Sequence, residues 1–333
     1  MIKYVVSLLL LCAVNFCIAS TPSVLDRSNA DTNCYFVKKH SNEGKNPQLV
    51  KVCPKPGQTF EQAVNEFLSE LTPAQTSVLE QRLEAQHKIA KTPFAVAFFE
   101  PTYILPFYYT TRPYNSVYAG HAPENQKILP QEFKAQMSFQ LTLWQNALNS
   151  PFALNVAYTQ LSYWQFYANS QWFRETDYEP SIFLSSHFSP NWLGYIGFSH
   201  QSNGEGGELE RSWNRVYFDL MASGPNWLIS FKPWIPVFKK DSSDLHNPDI
   251  TKYLGYGRIV YAVTFHKQEV SFMVRNVLES GFKRGAVELD YSFPLYGRLR
   301  GFVQVFSGYG QSLIEYNHYT NGVGAGIILN NWI

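Results

Sequence analysis

The chain has 333 residues and a formal net charge of +1, so its charge balance gives no reason to expect a nucleic-acid partner. Aromatic residues make up 16% of the sequence and charged residues another 16%, whereas soluble proteins carry roughly 25% charged residues. The mean hydropathy is −0.22, and beyond the N-terminus no apolar run approaches the ~18 residues of a membrane helix. This combination is typical of membrane β-barrels, in which lipid-facing apolar residues alternate with polar inward ones.

Residues 1–19 have the features of an export signal. Lys3 supplies the positive end, residues 5–14 the apolar core, and residues 17–19 a small-residue cleavage site before Ser20. A single membrane anchor fits less well because the apolar run is short. Acylation of Cys17 would require a small residue where Phe16 stands. We therefore expect secretion, with cleavage after residue 19.

Residues 20–94 are predicted to form a periplasmic extension ahead of a barrel domain at 95–333. The extension contains Cys34 and Cys53, the two cysteines that remain once the signal is removed. An oxidising compartment favours a disulfide between them, and a lone pair lacks the ligand spacing of a zinc site. Apolar residues at helical spacing predict a short helical pair within 58–90, interrupted at Thr72-Pro73.

From about residue 95 the apolar residues recur with a period of two, which is the period of a β-strand. About twelve such stretches follow in series, and many reach the ~9–11 residues that a tilted strand needs to cross a bilayer. Turn-forming residues separate them. The stretches are 96–111, 132–143, 153–166, 178–188, 191–202, 211–222, 227–237, 256–266, 269–278, 284–293, 298–309 and 322–333.

The alternation is clear in residues 284–293. One face of this stretch carries Val287, Leu289 and other apolar residues, whereas the other carries Arg284, Glu288 and Asp290. A soluble strand packed on a core shows the same pattern, but a series of such strands behind an export signal favours an all-β membrane barrel. Closure of the barrel removes strand edges that lipid could not satisfy.

A hydrolytic site is predicted in one hairpin of this barrel. His200 and Ser202 are two residues apart, so both project from the same face of a strand, and this face is otherwise apolar. Asn214 falls on the apolar face of the next strand. Polar groups on a lipid face are costly and therefore usually mark function. The alternative is that each residue lies at the polar rim of the barrel and has no function, which is less plausible for three residues together on one face. Together the three supply a nucleophile, a general base and a residue that orients the base. An asparagine cannot balance an imidazolium charge, so charge stabilisation must come from elsewhere in the site, and a bound cation is the natural candidate to supply it.

The motifs around this hairpin resemble those of the outer-membrane phospholipase A family. The resemblance rests on residues 200–204 and 211–215 and on segments 173–180, 247–253 and 307–314, and it covers about residues 95–333. It implies a twelve-stranded antiparallel barrel in the bacterial outer membrane with calcium-dependent phospholipase A1 and A2 activity, and lysophospholipase activity beside them. It also implies that Ser202 is the nucleophile, His200 the general base and acid, and Asn214 the orienting residue. The backbone N–H of Gly204 would form the oxyanion hole with calcium-bound water.

The resemblance further implies an active homodimer that pairs through the barrel wall. Calcium would be held by the loop after the nucleophile, at Glu205 and Glu210, and by Ser170 of the partner subunit. Glu210 stands where family members carry a serine, so a carboxylate is expected to join the metal shell here. Gln160 matches a polar residue buried at the dimer interface.

Two other classes of function remain open from the residues alone. A non-enzymatic pore or structural barrel has the same composition, and only the hairpin argues against it. A soluble secreted esterase predicts a Gly-x-Ser-x-Gly turn leading into a helix, whereas Ser202 lies in His-Gln-Ser-Asn-Gly within a predicted strand.

Overall fold

The fold is taken from a computed structural model, which describes residues 25–27, 35–39, 48–59, 62–63, 76–90, 96–237, 246–297 and 299–333. The chain divides into two compact units, residues 1–75 and 76–333. In the first unit, strands β1 (Leu25–Arg27), β2 (Tyr35–Lys39) and β3 (Gln48–Val52) form an antiparallel sheet.

Cys53 directly follows β3 and is disulfide-bonded. Its predicted partner Cys34 lies outside the described residues, so the pairing remains a prediction. The signal at residues 1–19 and most of the first predicted helix also lie outside the described residues.

Among the described residues of the second unit, twelve long antiparallel strands form one sheet, which confirms the predicted barrel. A short strand, β4 (Ala97–Phe98), pairs with the second of them. The barrel strands are β5 (Thr102–Thr110), β6 (Gln131–Trp144), β7 (Ala153–Trp164), β8 (Phe173–Ser189), β9 (Trp192–Ser202), β10 (Ser212–Ser223), β11 (Trp227–Val237), β12 (Gly257–Phe265), β13 (Gln268–Arg275), β14 (Ala286–Tyr296), β15 (Leu299–Tyr309) and β16 (Tyr319–Asn330).

The barrel closes because every strand pairs with its neighbour in sequence and β16 returns to β5. Side chains alternate between the two faces along each strand, as the pleat requires. On β9, for example, Leu193 and Tyr195 are buried in the barrel, whereas Trp192 and Ile196 are exposed on its outer wall. Within the described residues, no helix is long and apolar enough to span a membrane.

The two ends of the barrel differ in their connections. One end carries long connections such as residues 111–130, 203–211 and 276–285, whereas the other has turns as tight as His266-Lys267. Both residues of that turn have positive φ, 48° and 65°, as a two-residue turn between twisted strands requires. Long connections at one end and short turns at the other are the arrangement of outer-membrane barrels.

A helix packs against the short-turn end of the barrel. Helix α1 (Val78–Ala90) begins where the Ser77 side chain accepts a hydrogen bond from the Glu80 N–H at 3.2 Å, which is an N-cap. Leu79 is fully buried, and its N–H donates to Ser223 Oγ at 3.1 Å. The helix therefore starts several residues after the predicted break at Thr72-Pro73, because Ser77 provides both the cap and a contact to the barrel.

The interior of the barrel is filled by side chains and by the connection between β15 and β16. Arg174 donates to both oxygens of Glu132 at 2.7 and 2.9 Å, and both side chains are about 1% exposed. The backbone N–H groups of Leu313 and Ile314 donate to Asp177 and Glu175 of β8. A cavity of about 180 Å³ beside them is lined by acidic, basic and apolar side chains. Much of the lumen of the barrel is therefore occupied by side chains and by this connection.

Four shorter helical segments lie in the connections. Helix α2 (Ile250–Leu254) follows β11 and buries Ile250 and Leu254 against the plugging connection. Three 3₁₀ turns occupy Pro123–Asn125, Ala147–Asn149 and Gly207–Leu209 among the described residues.

Candidate active site

The predicted hairpin is formed by β9 and β10, and its register places the candidate residues together. His200 lies directly opposite Asn214, and Ser202 lies opposite Ser212. These residues project from the outer wall, on the same face as Ile196 and Val216, which are 54% and 41% exposed. The site therefore faces the lipid side of the barrel, as the strand parity predicted.

The imidazole of His200 is held by the amide of Asn214. His200 Nδ1 lies 2.9 Å from Asn214 Oδ1, and both side chains are half-buried. Because the amide oxygen can only accept, this contact assigns the ring proton to Nδ1. In the neutral tautomer with this proton, Nε2 is the ring nitrogen that can accept one.

Ser202 is held by the backbone of the next turn. The N–H of Gly204 donates to Ser202 Oγ at 3.1 Å. No hydrogen bond joins Ser202 to His200 among the described residues, and in enzymes without substrate such contacts are often loose. Gly204 has φ +69°, and a Cβ at this position would lie 3.0 Å from the Tyr178 ring. The glycine therefore permits a backbone donor to approach the serine closely.

The loop after Ser202 is fixed by Asn203, a residue that sequence reasoning did not single out. Its side chain is 3% exposed. Its Oδ1 accepts from the Arg211 N–H at 3.0 Å, and its Nδ2 donates to Leu209 O at 2.8 Å. An asparagine beside a candidate serine, at the end of a strand, was the available signal, because such residues often close loops onto their own backbone.

The predicted calcium ligands of this loop have the donor chemistry of a hard cation. Glu205 is exposed, Glu210 is half-buried, and neither forms an ion pair with a described residue. Arg211 Nη1 donates to the carbonyl oxygens of Glu208 and Glu210 at 2.8 Å each, and burial lowers the pKa of this guanidinium. Loop carbonyls thus already converge on a positive group, and unpaired carboxylates and carbonyls are oxygen ligands that calcium accepts.

No cluster of three or more acidic, histidine or cysteine side chains able to hold a metal occurs in the described residues. Ser170, the third predicted ligand, lies in the connection between β7 and β8, at the same end of the barrel as Glu205 and Glu210. Its backbone N–H donates to Gln126 Oε1 at 3.3 Å.

A polar row crosses the outer wall at the level of the serine. Gln160 lies opposite Tyr178, Tyr178 opposite Ser202, and Ser202 opposite Ser212 on four adjacent strands. Gln160 accepts from the Tyr158 hydroxyl at 2.9 Å and donates to Ser162 Oγ at 3.1 Å. Sequence reasoning missed Tyr178, although its parity within 173–180 places it on the same face as Gln160 and Ser202.

The inner side of the same hairpin is braced by a network that sequence reasoning also missed. Gln201 lies between His200 and Ser202 and accepts from the Trp213 indole at 2.8 Å. Arg215 lies 2.6 Å from Glu179 and stacks 4.3 Å from the Trp213 ring centre. These contacts join β8, β9 and β10 behind the candidate site and hold its backbone in place.

A closed antiparallel barrel with histidine, asparagine and serine on its lipid-facing wall defines an outer-membrane barrel enzyme. A family model described as phospholipase A1 matches residues 79–329. A phospholipase A1 of Klebsiella pneumoniae is 39% identical over 209 residues, which cover 60% of this chain and 71% of the relative. The chain belongs to the phospholipase A1 family, and the predicted family is thereby confirmed.

Two solved structures support the same assignment. A calcium-bound dimer of the outer membrane phospholipase of Salmonella typhi matches with a TM-score of 0.68 and 31% identity, over 77% of this chain and 98% of that one. Outer membrane phospholipase A of Escherichia coli matches with a TM-score of 0.67 and 33% identity, over 74% of this chain and 98% of that one. The predicted outer-membrane location and barrel fold are confirmed by this likeness.

Proposed function

We propose that this chain hydrolyses acyl ester bonds of glycerophospholipids, with Ser202 as nucleophile, His200 as general base and acid, and Asn214 as the orienting residue. The observation that carries the proposal is the 2.9 Å contact between His200 Nδ1 and Asn214 Oδ1 on the lipid-facing wall. A phospholipid reaches this wall from the surrounding leaflet without entering the barrel. The products are a free fatty acid and a lysophospholipid, which still carries an ester for the same site.

The reaction follows from the roles of these atoms. Rotation of the Ser202 side chain brings its hydroxyl to His200 Nε2, which accepts the proton as Oγ attacks the ester carbonyl. The oxygen of that carbonyl becomes negative, and the Gly204 N–H released from Ser202 Oγ donates to it. His200 then protonates the leaving alkoxide, and a water molecule activated by the same ring hydrolyses the acyl-serine. Asn214 keeps Nδ1 protonated and Nε2 in place throughout.

Calcium is the proposed cofactor, held by Glu205, Glu210 and loop carbonyls. When bound, calcium would supply positive charge that stabilises the developing oxyanion alongside the Gly204 N–H. Glu205 and Glu210 contribute the carboxylates, and Gly204 connects their loop to the nucleophile. The solved Salmonella typhi protein carries bound calcium, which supports a metal in this chain too.

A homodimer is the proposed active state, with Gln160 at the interface and Ser170 of one subunit completing the metal shell of the other. The Salmonella typhi protein is a dimer. A glutamine side chain on a lipid-facing wall is costly, and a second copy that buries it against another amide would relieve this cost. The domain scheme is also part of the proposal: residues 1–19 as a removed signal, 20–94 as a periplasmic extension and 95–333 as the phospholipase barrel.

The test compares Ser202→Ala with Ser212→Ala. The two serines lie opposite each other on the outer wall, so each substitution removes one hydroxyl from the same surface. We expect Ser202→Ala to abolish calcium-dependent release of fatty acid from phosphatidylcholine micelles, and Ser212→Ala to retain it. Wild-type activity in Ser202→Ala would refute the assigned nucleophile. No activity from the folded, calcium-loaded wild type would favour the pore or structural barrel instead, which conductance in planar bilayers would then detect.

A further inference from the structure

The side chain of Asn247 binds the main chain of Ser212, at the open end of the proposed catalytic hairpin. Asn247 lies in the connection between β11 and β12, just before α2, and is 5% exposed. Its Nδ2 donates to the Ser212 carbonyl oxygen at 2.9 Å, and its Oδ1 accepts from the Ser212 N–H at 3.4 Å. Neither bond involves the Ser212 hydroxyl. One amide thus satisfies both main-chain groups of a residue, as the opposite residue of an antiparallel strand does.

The main-chain groups of Ser212 point away from β9. The Asn203 N–H donates to the Arg211 carbonyl oxygen at 3.1 Å, across the residues next to the pair of Ser202 and Ser212. Hydrogen-bonded and non-hydrogen-bonded pairs alternate along an antiparallel ladder, so Ser202 and Ser212 form a non-hydrogen-bonded pair. The N–H and C=O of Ser212 are therefore left to the other side, where β11 runs.

The described part of β11 stops short of Ser212. Its last residue, Val237, lies opposite Asn214. Closer to the loop, the main chain of Ser212 meets the amide of Asn247 instead of a strand. Main-chain groups without partners favour opening of a strand end, so this amide should hold the first residues of β10 in the sheet.

Asn247 is itself held by the chain that fills the lumen. Its carbonyl oxygen accepts from the Ile250 N–H at 3.3 Å, where α2 begins, and Ile250 is 4% exposed. Asp249 accepts from the Tyr316 hydroxyl at 2.8 Å, and Tyr316 belongs to the connection between β15 and β16. The amide therefore acts on β10 from a fixed position.

We propose that Asn247 is a positioning residue for the hydrolysis, because its amide holds β10 against β9 at the candidate site. The inference rests on the proposed function, and it assigns Asn247 no contact with the reacting atoms. Ser212 lies opposite Ser202 and two residues before Asn214, so a displaced Ser212 would disturb both the nucleophile and the contact that orients the imidazole. The role requires a donor and an acceptor on one short side chain, which asparagine provides.

The experiment measures kcat and KM of the folded protein on phosphatidylcholine micelles at saturating calcium. We expect Asn247→Ala and Asn247→Asp each to lower kcat by roughly tenfold to a hundredfold, with little change in KM. The aspartate has the shape of asparagine but places a second acceptor against the Ser212 carbonyl oxygen. Asn276→Ala is the matched control, because Asn276 is 7% exposed and donates to the carbonyls of Lys252 and Tyr253 at 2.9 Å each. It holds the same connection without a hydrogen bond to β10, so its kcat should equal that of the wild type.

Two further measurements separate positioning from a general loss of structure, with folding checked by heat-modifiable migration. In a chain that already carries Asn214→Ala, Asn247→Ala should lower kcat by no more than about threefold, because the contact that it positions is absent. Amide hydrogen exchange in peptides that contain Ser212 should be faster in Asn247→Ala than in Asn276→Ala. The exchange is measured without substrate and does not depend on activity.

Four results would overturn the proposal. The first is a wild-type kcat in Asn247→Asp, and the second is an equal loss of kcat in Asn276→Ala and Asn247→Ala. The third is an equal fold loss from Asn247→Ala with and without Asn214, which would mean that the amide does not act through the orienting contact. The fourth is unchanged exchange at Ser212, which would show that the amide does not hold this strand end. A folded, calcium-loaded wild type without activity would refute the proposed function and the positioning role with it, while the exchange would still report the hold on Ser212.

Discussion

His200 and Asn214 face each other at directly paired positions of β9 and β10, with Nδ1 2.9 Å from Oδ1. The contact joins two strands through their side chains on a surface that is otherwise apolar. Because the pair lies on the strand ladder itself, the orientation of the imidazole depends on the register of the hairpin. A shift of one residue in either strand would turn the side chain of that strand into the barrel and separate the pair.

Replacing Asn214 should separate orientation from charge. We expect Asn214→Ala to lower kcat by roughly 10²- to 10⁴-fold, because the ring loses its fixed proton position. Asn214→Asp keeps an acceptor at the same place and should retain more activity than Asn214→Ala. Steady-state hydrolysis of phosphatidylcholine micelles measures both. Equal losses in the two variants would contradict an orienting role. Asn226→Ala, in the turn at the other end of β10, is the control.

Gly204 should tolerate no side chain. Its φ of +69° and the Tyr178 ring 3.0 Å from a would-be Cβ both oppose alanine, so Gly204→Ala displaces the N–H from the nucleophile. We expect kcat to fall by about tenfold to a hundredfold, somewhat less than the loss of a whole oxyanion donor. Gly206→Ala in the same loop is the matched control, because nothing lies within 4 Å of a Cβ there. A kcat in Gly204→Ala as high as in Gly206→Ala would argue against the backbone donor.

The calcium requirement should depend on the two carboxylates of the loop. We expect Glu210→Gln and Glu205→Gln to raise the calcium concentration for half-maximal activity by about tenfold each, while kcat at saturating calcium changes little. Glu124→Gln, an acidic residue of another connection at the same end, should leave the calcium titration unchanged. Isothermal titration calorimetry in detergent measures the calcium dissociation constant independently of activity. Unchanged titrations in both loop variants would mean that the ion is held elsewhere.

The bidentate pair of Arg174 and Glu132 inside the barrel predicts an asymmetric effect on stability. Arg174→Met leaves the Glu132 carboxylate buried and unpaired, so the free energy of unfolding should fall by about 3–5 kcal/mol. The double variant Arg174→Met/Glu132→Gln should recover part of this loss, because the Glu132 charge is removed with its partner, while Glu315 and Glu175 still lose a guanidinium 3.5 and 3.9 Å away. Urea-induced unfolding in detergent, followed by tryptophan fluorescence, measures the change. A double variant less stable than Arg174→Met would show that the pair contributes net stability.

The docking of α1 on the barrel can be tested at Leu79, which is fully buried. Leu79→Ala removes its packing and should lower the free energy of unfolding by about 2–5 kcal/mol. Glu84 lies on the same helix but is exposed, so Glu84→Ala should change stability by less than about 0.5 kcal/mol. The same unfolding measurement separates the two. Equal stability of both variants would show that the helix does not depend on this contact.

The side chains that face the outer wall at the candidate site could largely be predicted from sequence, because the alternation of faces along a strand is a local property. A period of two places His200, Ser202 and Gln160 on apolar faces without knowledge of any partner strand. The twelve predicted stretches correspond to β5–β16, with ends that differ mostly by one to five residues. The start of α1 was predicted too early, because the Ser77 cap is anchored by contacts to distant turns of the barrel.

The sequence by itself determined the alternation of faces, the series of strands and the motif around Ser202, since each depends on residues close together in the chain. Only the tertiary structure decided which residues meet: the row from Gln160 to Ser212, the contact of the Gly204 N–H with Ser202 Oγ, and the filling of the lumen by Leu313 and Ile314. Register and barrel closure are set by many weak contacts between distant segments, and no local pattern specifies them.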